Sequence, residues 1–228
     1  MSNPRDILKS AQLRKQKALS EYDSKRLLSS YDIPVVNESI AGDWHKAKEI
    51  ASHIGYPVVL KLCSPEITHK TEKKLVELNL RDEIELRGAF QRLHEQTVTF
   101  NGDILVQEMV NEVRELAIGM IRDPQFGPTV MFGLGGIFAE ILDDVSFRVA
   151  PIEMHDAMEM IKEIRAYKIL NAIRGMDAVD IKVLSKSLIV LGNIGLEHED
   201  IQEIDVNPMI IKGDKPVAVD ALIILKEM

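Results

Sequence analysis

Asn207 and Asp220, near the C-terminus, are a pair of side chains that could hold a divalent cation. They flank a turn signal at Gly213-Asp214. β-Branched apolar runs lie on either side, Ile201 to Val206 with Ile210 and Ile211, then Val217 to Ile224. That pattern predicts a hairpin. A turn centred between Gly213 and Asp214 puts Asn207 directly opposite Asp220, and opposed side chains sit about 4.5–5.5 Å apart at Cβ. One carboxylate and one amide oxygen at that spacing suit Mg²⁺, which takes few protein ligands and fills its shell with water and phosphate oxygens. Pro208 and Pro216 interrupt a regular ladder, and a bulge there would turn a side chain away. A ribbon with solvent-facing polar residues is the plainer account of the hairpin taken alone.

Lys61 lies inside an apolar run, on the same strand face as Val59 and Cys63, where a bare ammonium is costly. It must either reach the edge of the sheet or meet an anion. A strand lysine facing a cleft serves as a point charge on nucleotide phosphates. Glu108 ends one predicted strand and Glu115 lies in the next. The short segment between them is a candidate hinge, and clefts at such boundaries are favoured ligand sites. Two surface carboxylates would look the same. Gly133-Leu134-Gly135-Gly136 falls between strands and lacks G-x-G-x-x-G spacing, so it is no Rossmann fingerprint. Gly135 and Gly136 can still bring backbone N–H groups to phosphates, or simply make a tight turn. His69, in a loop, can carry a phosphoryl group, because its imidazole is available uncharged near pH 7. A surface-turn histidine is the simpler account.

The elements that must position these groups read as α+β. Residues 4–30 are helical, in one piece or two, with Ser20 and Asp23 resembling an N-terminal cap. Asp32-Ile33-Pro34 ends that helix. Helices over 43–54, 83–95, 154–165 and 180–195 alternate with strands at 58–62, 76–80, 104–109, 113–121, 129–132, 137–142 and 145–149. The chain divides into an N-terminal helical extension (1–19), a smaller βαβ-containing lobe (20–110) and a larger, mostly antiparallel lobe (111–228).

Bulk properties narrow the classes. The chain has 228 residues, 46% hydrophobic and 28% charged, with 36 acidic against 28 basic residues. A net charge of −8 argues against a general nucleic-acid binder. One cysteine, Cys63, excludes an internal disulfide framework. No apolar run reaches the roughly 20 residues that span a bilayer, and no signal peptide is legible. A cytoplasmic enzyme or enzyme subunit is expected. The sequence has no P-loop and no G-x-S-x-G elbow.

Several segments in order resemble one family. They are Gly55-Tyr56-Pro57-Val58-Val59-Leu60-Lys61, Ser64-Pro65-Glu66-Ile67-Thr68-His69-Lys70, Arg122 to Pro128, Met131 to Phe138, Val145 to Pro151, and Glu203-Ile204-Asp205-Val206-Asn207-Pro208. Together they resemble the β subunit of ADP-forming acetyl-CoA synthetase (acyl-CoA synthetase, NDP-forming), an ATP-grasp domain related to the succinyl-CoA synthetase β subunit. The resemblance runs from about residue 18 to 225. It implies an ATP-grasp fold with a nucleotide cleft between two lobes, and the reaction acyl-CoA + ADP + phosphate ⇌ carboxylic acid + ATP + CoA. It implies a CoA-binding α subunit as partner, in an α₂β₂ assembly, with ATP/ADP and Mg²⁺ at this chain. His69 would relay the phosphoryl group, Lys61 contact phosphates, Glu108 lie at the adenine-side hinge, Glu115 reach the ribose, and Asn207 and Asp220 hold Mg²⁺.

The sequence departs from the family pattern at four places. Lys74-Leu75 replaces a Gly-Gly pair, Asp32 and Ala172 replace glycines, and Leu222 replaces the arginine of a final Asp-Ala-Arg. An alternative is therefore a degenerate, non-catalytic subunit that stabilises or regulates a CoA-binding partner. A stand-alone ATP-grasp ligase is a third reading, disfavoured because the chain has no room for its own CoA-binding domain.

Overall fold

The computed structural model describes residues 3–66, 75–136, 144–173 and 175–226. The expected strand at 137–142 and His69 lie outside them. Two antiparallel sheets organise the described residues.

The smaller sheet has the order β1-β4-β2-β3, from β1 (Glu38–Ala41), β2 (Val58–Cys63), β3 (Val76–Leu80) and β4 (Asp103–Glu108). β1 and β2 both run antiparallel to β4, which lies between them. Likewise β3 and β4 flank β2. The expected βαβ connections are thus split, each crossing over one intervening strand. Two helices, α3 (Trp44–Ile54) and α4 (Glu83–Thr97), cover one face. Asp43 and Asp82 start them by accepting hydrogen bonds from first-turn N–H groups. Ala47, Ala51, Leu86, Ala89 and Phe90 pack on Val58, Leu60, Ile104 and Val106. β1 has no counterpart in the sequence reading, because its four residues, three half-buried and one buried, carry too little alternation to register.

The larger sheet has the order β10-β8-β5-β6-β7, with β9 also on β8. Its strands are β5 (Glu115–Asp123), β6 (Gly127–Leu134), β7 (Val145–Val149), β8 (Ile201–Lys212), β9 (Lys215–Ala218) and β10 (Leu222–Leu225). Helices α5 (Met154–Glu163) and α6 (Ile181–Glu197) pack on it, and α6 buries Leu184, Leu188, Leu191 and Ile194 completely. The N-terminal helices α1 (Pro4–Leu13) and α2 (Glu21–Ser30) join this same core through Ile7, Leu8, Leu27 and Leu28. Ser20 caps α2, its side chain accepting from Asp23 N at 3.1 Å. No helix among the described residues is long and apolar enough to cross a membrane.

The return strand expected over Val217–Ile224 is broken. Met209 pairs with Ala218 on one side of the gap, and Asp205 pairs with Leu222 on the other. Both keep the register that sets Asn207 opposite Asp220, but residues 219–221 leave the ladder. Val219 N donates to Pro208 O at 3.0 Å, while the Val219 carbonyl turns to two lysine side chains.

Asp32 occupies the left-handed region at φ 64. Asp32 N donates to Ser29 O at 3.1 Å and Ile33 N to Leu28 O at 3.2 Å, the paired bonds of a Schellman end to α2. An L-residue in that region costs about 1–2 kcal/mol, and glycine's greater freedom in the unfolded chain takes back about 0.5–1 kcal/mol. Asp32→Gly should therefore stabilise the fold by about 0.5–1 kcal/mol. Urea unfolding should show a raised midpoint at unchanged slope.

Candidate functional site

A cavity of about 420 Å³ lies between the two sheets. Lys61 from β2, Glu108 from the end of β4, Glu115 from the start of β5 and Asp220 from the β9–β10 gap all line it, beside apolar Val110 and Ile210. An apolar wall with a few convergent charges is the usual character of a cofactor-sized site. A broader groove of about 740 Å³ runs past Ser39, Lys46 and His53, but there Lys46 and Glu49 pair with each other on an exposed helix turn.

β2 is buried along its whole length. Val58 and Leu60 face the helices, so Val59 and Lys61 must face the other way, towards α2 and the larger sheet. The Lys61 side chain is only 6% exposed and has found its anion. Its Nζ donates to Glu21 Oε1 at 2.6 Å and to Val219 O at 3.1 Å, and lies 3.8 Å from Asp220 Oδ2. Lys25 lies behind it, fully buried, donating to Glu21 Oε1 and Gln107 Oε1 at 2.7 Å each and pairing with Glu38. Burial opposes the Lys25 charge, yet Glu21, Glu38 and Asp220 outweigh it and raise its pKa. Burial is also the main cause that pushes the Glu38 carboxyl up to about 7, against the pull of Lys25.

Glu108 is tied to both sheets. Its Oε2 accepts from Asn37 Nδ2 at 2.9 Å, and its carboxylate pairs with Lys212 at the end of β8. Glu115 is held against the glycines. Gly135 N donates to Glu115 O at 2.9 Å, and a Cβ on Gly135 would meet Leu116 O at 2.6 Å. Gly136 has φ +59, and a Cβ there would meet Glu115 Oε2 at 2.0 Å. Neither position admits a side chain without displacement. Gly136 N points to Asn207 Oδ1 at 3.3 Å, linking the glycine run to the cation pair.

The donor chemistry of Asn207 and Asp220 fits Mg²⁺, a hard cation that needs only one or two protein oxygens. Among the described residues no group of three or more His, Cys, Asp or Glu forms a metal cluster, which a site of one amide and one carboxylate would not do. Asp205, two positions before Asn207, is a carboxyl that the sequence reading missed. Its register partners are Gly119 and Leu222, neither of them a cation. Burial first, then Glu203 and Asp220, push it up to about 6. Glu21, Lys25, Glu38 and Gln107 were missed as well. The alternation of Glu203, Asp205 and Asn207 would have flagged Asp205. The others carry no local signal, since Glu21 and Lys25 at helical spacing look like an ordinary surface pair.

The chain leaves β2 after Cys63 and returns in β3 at Val76, whose register partner is Lys61. His69 and Lys74 fall between, outside the described residues. Leu75, the second of the two residues that replace Gly-Gly, is 2% exposed and packs with Leu62 and Phe100.

Residues 10–225 match the family model described as ATP-grasp domain. The chain is 43% identical to the Acetate–CoA ligase [ADP-forming] I subunit beta of Pyrococcus furiosus, over 99% of each. It is 40% identical to the Acetate–CoA ligase [ADP-forming] I of Archaeoglobus fulgidus over 88% of this chain, but only 30% of that protein. A solved structure of the acetyl-coenzyme A synthetase 1 of Ca. Korarchaeum cryptofilum superposes with a TM-score of 0.86 at 47% identity, covering 98% of this chain and 100% of that one. That structure holds coenzyme A and Mg-AMPPCP, with its phosphohistidine segment pointing towards the nucleotide binding site. The chain therefore belongs to the ATP-grasp family, among the β subunits of ADP-forming acetate–CoA ligases.

Proposed function

We propose that this chain is the nucleotide-binding subunit of an ADP-forming acyl-CoA synthetase, a cytoplasmic ligase that passes a phosphoryl group through His69 to ADP. The observation that carries this reading is the convergence of Lys61, Glu108, Glu115 and Asp220 on one cavity between the sheets. Lys61 would place its charge on the phosphates, Glu108 would mark the adenine side and Glu115 the ribose. Gly135 and Gly136 would let backbone approach the phosphates. Asn207 and Asp220 would hold Mg²⁺, which when bound neutralises phosphate charge and aligns the transfer. In the ATP-forming direction a terminal ADP oxygen attacks the phosphorus carried on His69. The N–P bond breaks, its electron pair returns to the imidazole, and an O–P bond forms. The apolar walls exclude water, and Lys61 offsets the charge gathered on the phosphates.

The partner would be a CoA-binding α subunit, in α₂β₂. The Archaeoglobus relative, of which this chain matches only 30%, supports that division of labour because it carries further chain. The acyl group would be recognised there. A non-catalytic subunit is the second reading. It is favoured by two observations, the uncompensated Asp205 opposite Leu222 and the buried Leu75 where the family has glycine.

One experiment separates these readings, and a second tests the electrostatics around Asp205. With the α subunit, acyl-CoA and ³²P-phosphate, the chain should take up an acid-labile label that His69→Ala removes. ATP formation by that variant should be abolished, since no imidazole remains to carry the phosphoryl group; unchanged ATP formation would refute the relay. The second concerns Asp205. Its folded pKa of about 6 lies above the unfolded value of about 3.9. The unfolded chain thus releases this proton first, and stability falls as pH rises from about 4 to 6. Leu222→Arg supplies a cation directly opposite and should stabilise the fold by about 1–2 kcal/mol at pH 7. The gain should vanish at pH 4, where Asp205 is neutral in both chains. Urea unfolding at the two pH values reads the difference.

A further inference from the structure

Lys25 and Lys61 share two acceptors. Glu21 Oε1 takes a hydrogen bond from Lys25 at 2.7 Å and from Lys61 at 2.6 Å. The Val219 carbonyl takes one from Lys25 at 3.0 Å and one from Lys61 at 3.1 Å. Val219 immediately precedes Asp220 in the stretch that leaves the ladder, and its N–H is fixed to Pro208 O, next to Asn207. Val219, the residue before Asp220, is therefore pinned at both ends, its N–H by a strand carbonyl and its own carbonyl by two ammonium groups. Lys25 itself does not line the cavity.

We infer that Lys25 is a positioning residue for the cation and phosphate site: it holds Glu21 and the Val219 carbonyl in place, so that Asp220 keeps its aim and Lys61 is free to turn its charge towards phosphate. This rests on the nucleotide reading above. An ammonium has three protons, and Lys61 directs two of them at Glu21 and Val219 O. When phosphates draw Lys61 away, the fully buried Glu21 carboxylate would lose a counter-charge, which is costly out of water. Lys25 keeps a cation at 2.7 Å throughout, and its own charge is secured by Glu38 and Gln107. The two lysines thus divide the work, one structural and buried, one facing the cavity.

The test is calorimetric titration of ADP into the purified chain, with Mg²⁺ and with EDTA. Lys25→Met strands Glu38, so the principal variant is Lys25→Met/Glu38→Gln, which removes that charge too. The expected result is weaker ADP binding in EDTA, because Lys61 is then held by Glu21, and besides it an Mg²⁺-dependent gain in affinity reduced about tenfold, with a cooperative melt. Lys25→Arg keeps the charge but cannot direct a guanidinium at the same acceptors, and should show an intermediate loss; it decides the matter if the methionine variants do not fold. A folded variant with wild-type Mg²⁺ dependence, or an equal loss with and without Mg²⁺, overturns the inference. Asp220→Ala separates this from the underlying reading. If the wild type shows no Mg²⁺-dependent ADP binding, or Asp220→Ala leaves it intact, the nucleotide reading fails and takes the inference with it.

Discussion

A carboxylate buried between two sheets, Glu21, constrains the rest of this molecule. It cannot remain charged there without cations, and the two it has come from different elements, Lys25 on α2 and Lys61 on β2. The same two cations hold the carbonyl of Val219, in the gap between β9 and β10 of the larger sheet. A helix, the smaller sheet and the larger sheet therefore meet in one hydrogen-bonded group, completed by Gln107 on β4 and Glu38 on β1. Such buried ion groups add little net stability, because desolvation offsets attraction. Their effect is directional. Breaking any one member leaves a charge or a donor under-satisfied, so the relative placement of the elements is strongly specified.

The cavity follows from that placement. Apolar packing alone would close the space between the sheets, yet the face of β2 turned away from its helices carries a lysine that needs anions. Glu108, fastened to Asn37 and to Lys212, props the opposite side. Glycines finish the shape. At Gly135 and Gly136 a Cβ would collide with β5 backbone or with the Glu115 carboxylate, and only their absence lets the chain pass so close. A charged, partly apolar pocket is the consequence, suited to a ligand with a flat apolar portion and a phosphate tail.

Departures from the family pattern acquire physical meaning in this setting. Asp32 keeps a left-handed helix end that glycine would form with less strain. Leu75 anchors the chain at the start of β3 by burial against Leu62, where glycine would leave it without an apolar anchor. Leu222 leaves Asp205 without the cation that an arginine would bring, and burial, with Glu203 and Asp220, holds that carboxyl raised.

Local chemistry written in the sequence determined the helix cap at Ser20, the strand at 76–80, and the register of the C-terminal ribbon on either side of its break. Each depends on residues near one another in the chain, so spacing suffices to read it. The need of Lys61 for an anion was equally legible, because an ammonium in an apolar strand has few options. Which anion it meets was not. Glu21 and Lys25 have the spacing of a surface pair, and only the docking of α2 between the sheets removes them from water and makes them a brace for the site. Asp205 acquired its altered titration the same way, from burial first and then from Glu203 and Asp220. Burial is a property of the assembled chain, and it turns ordinary charges into ones that must be answered.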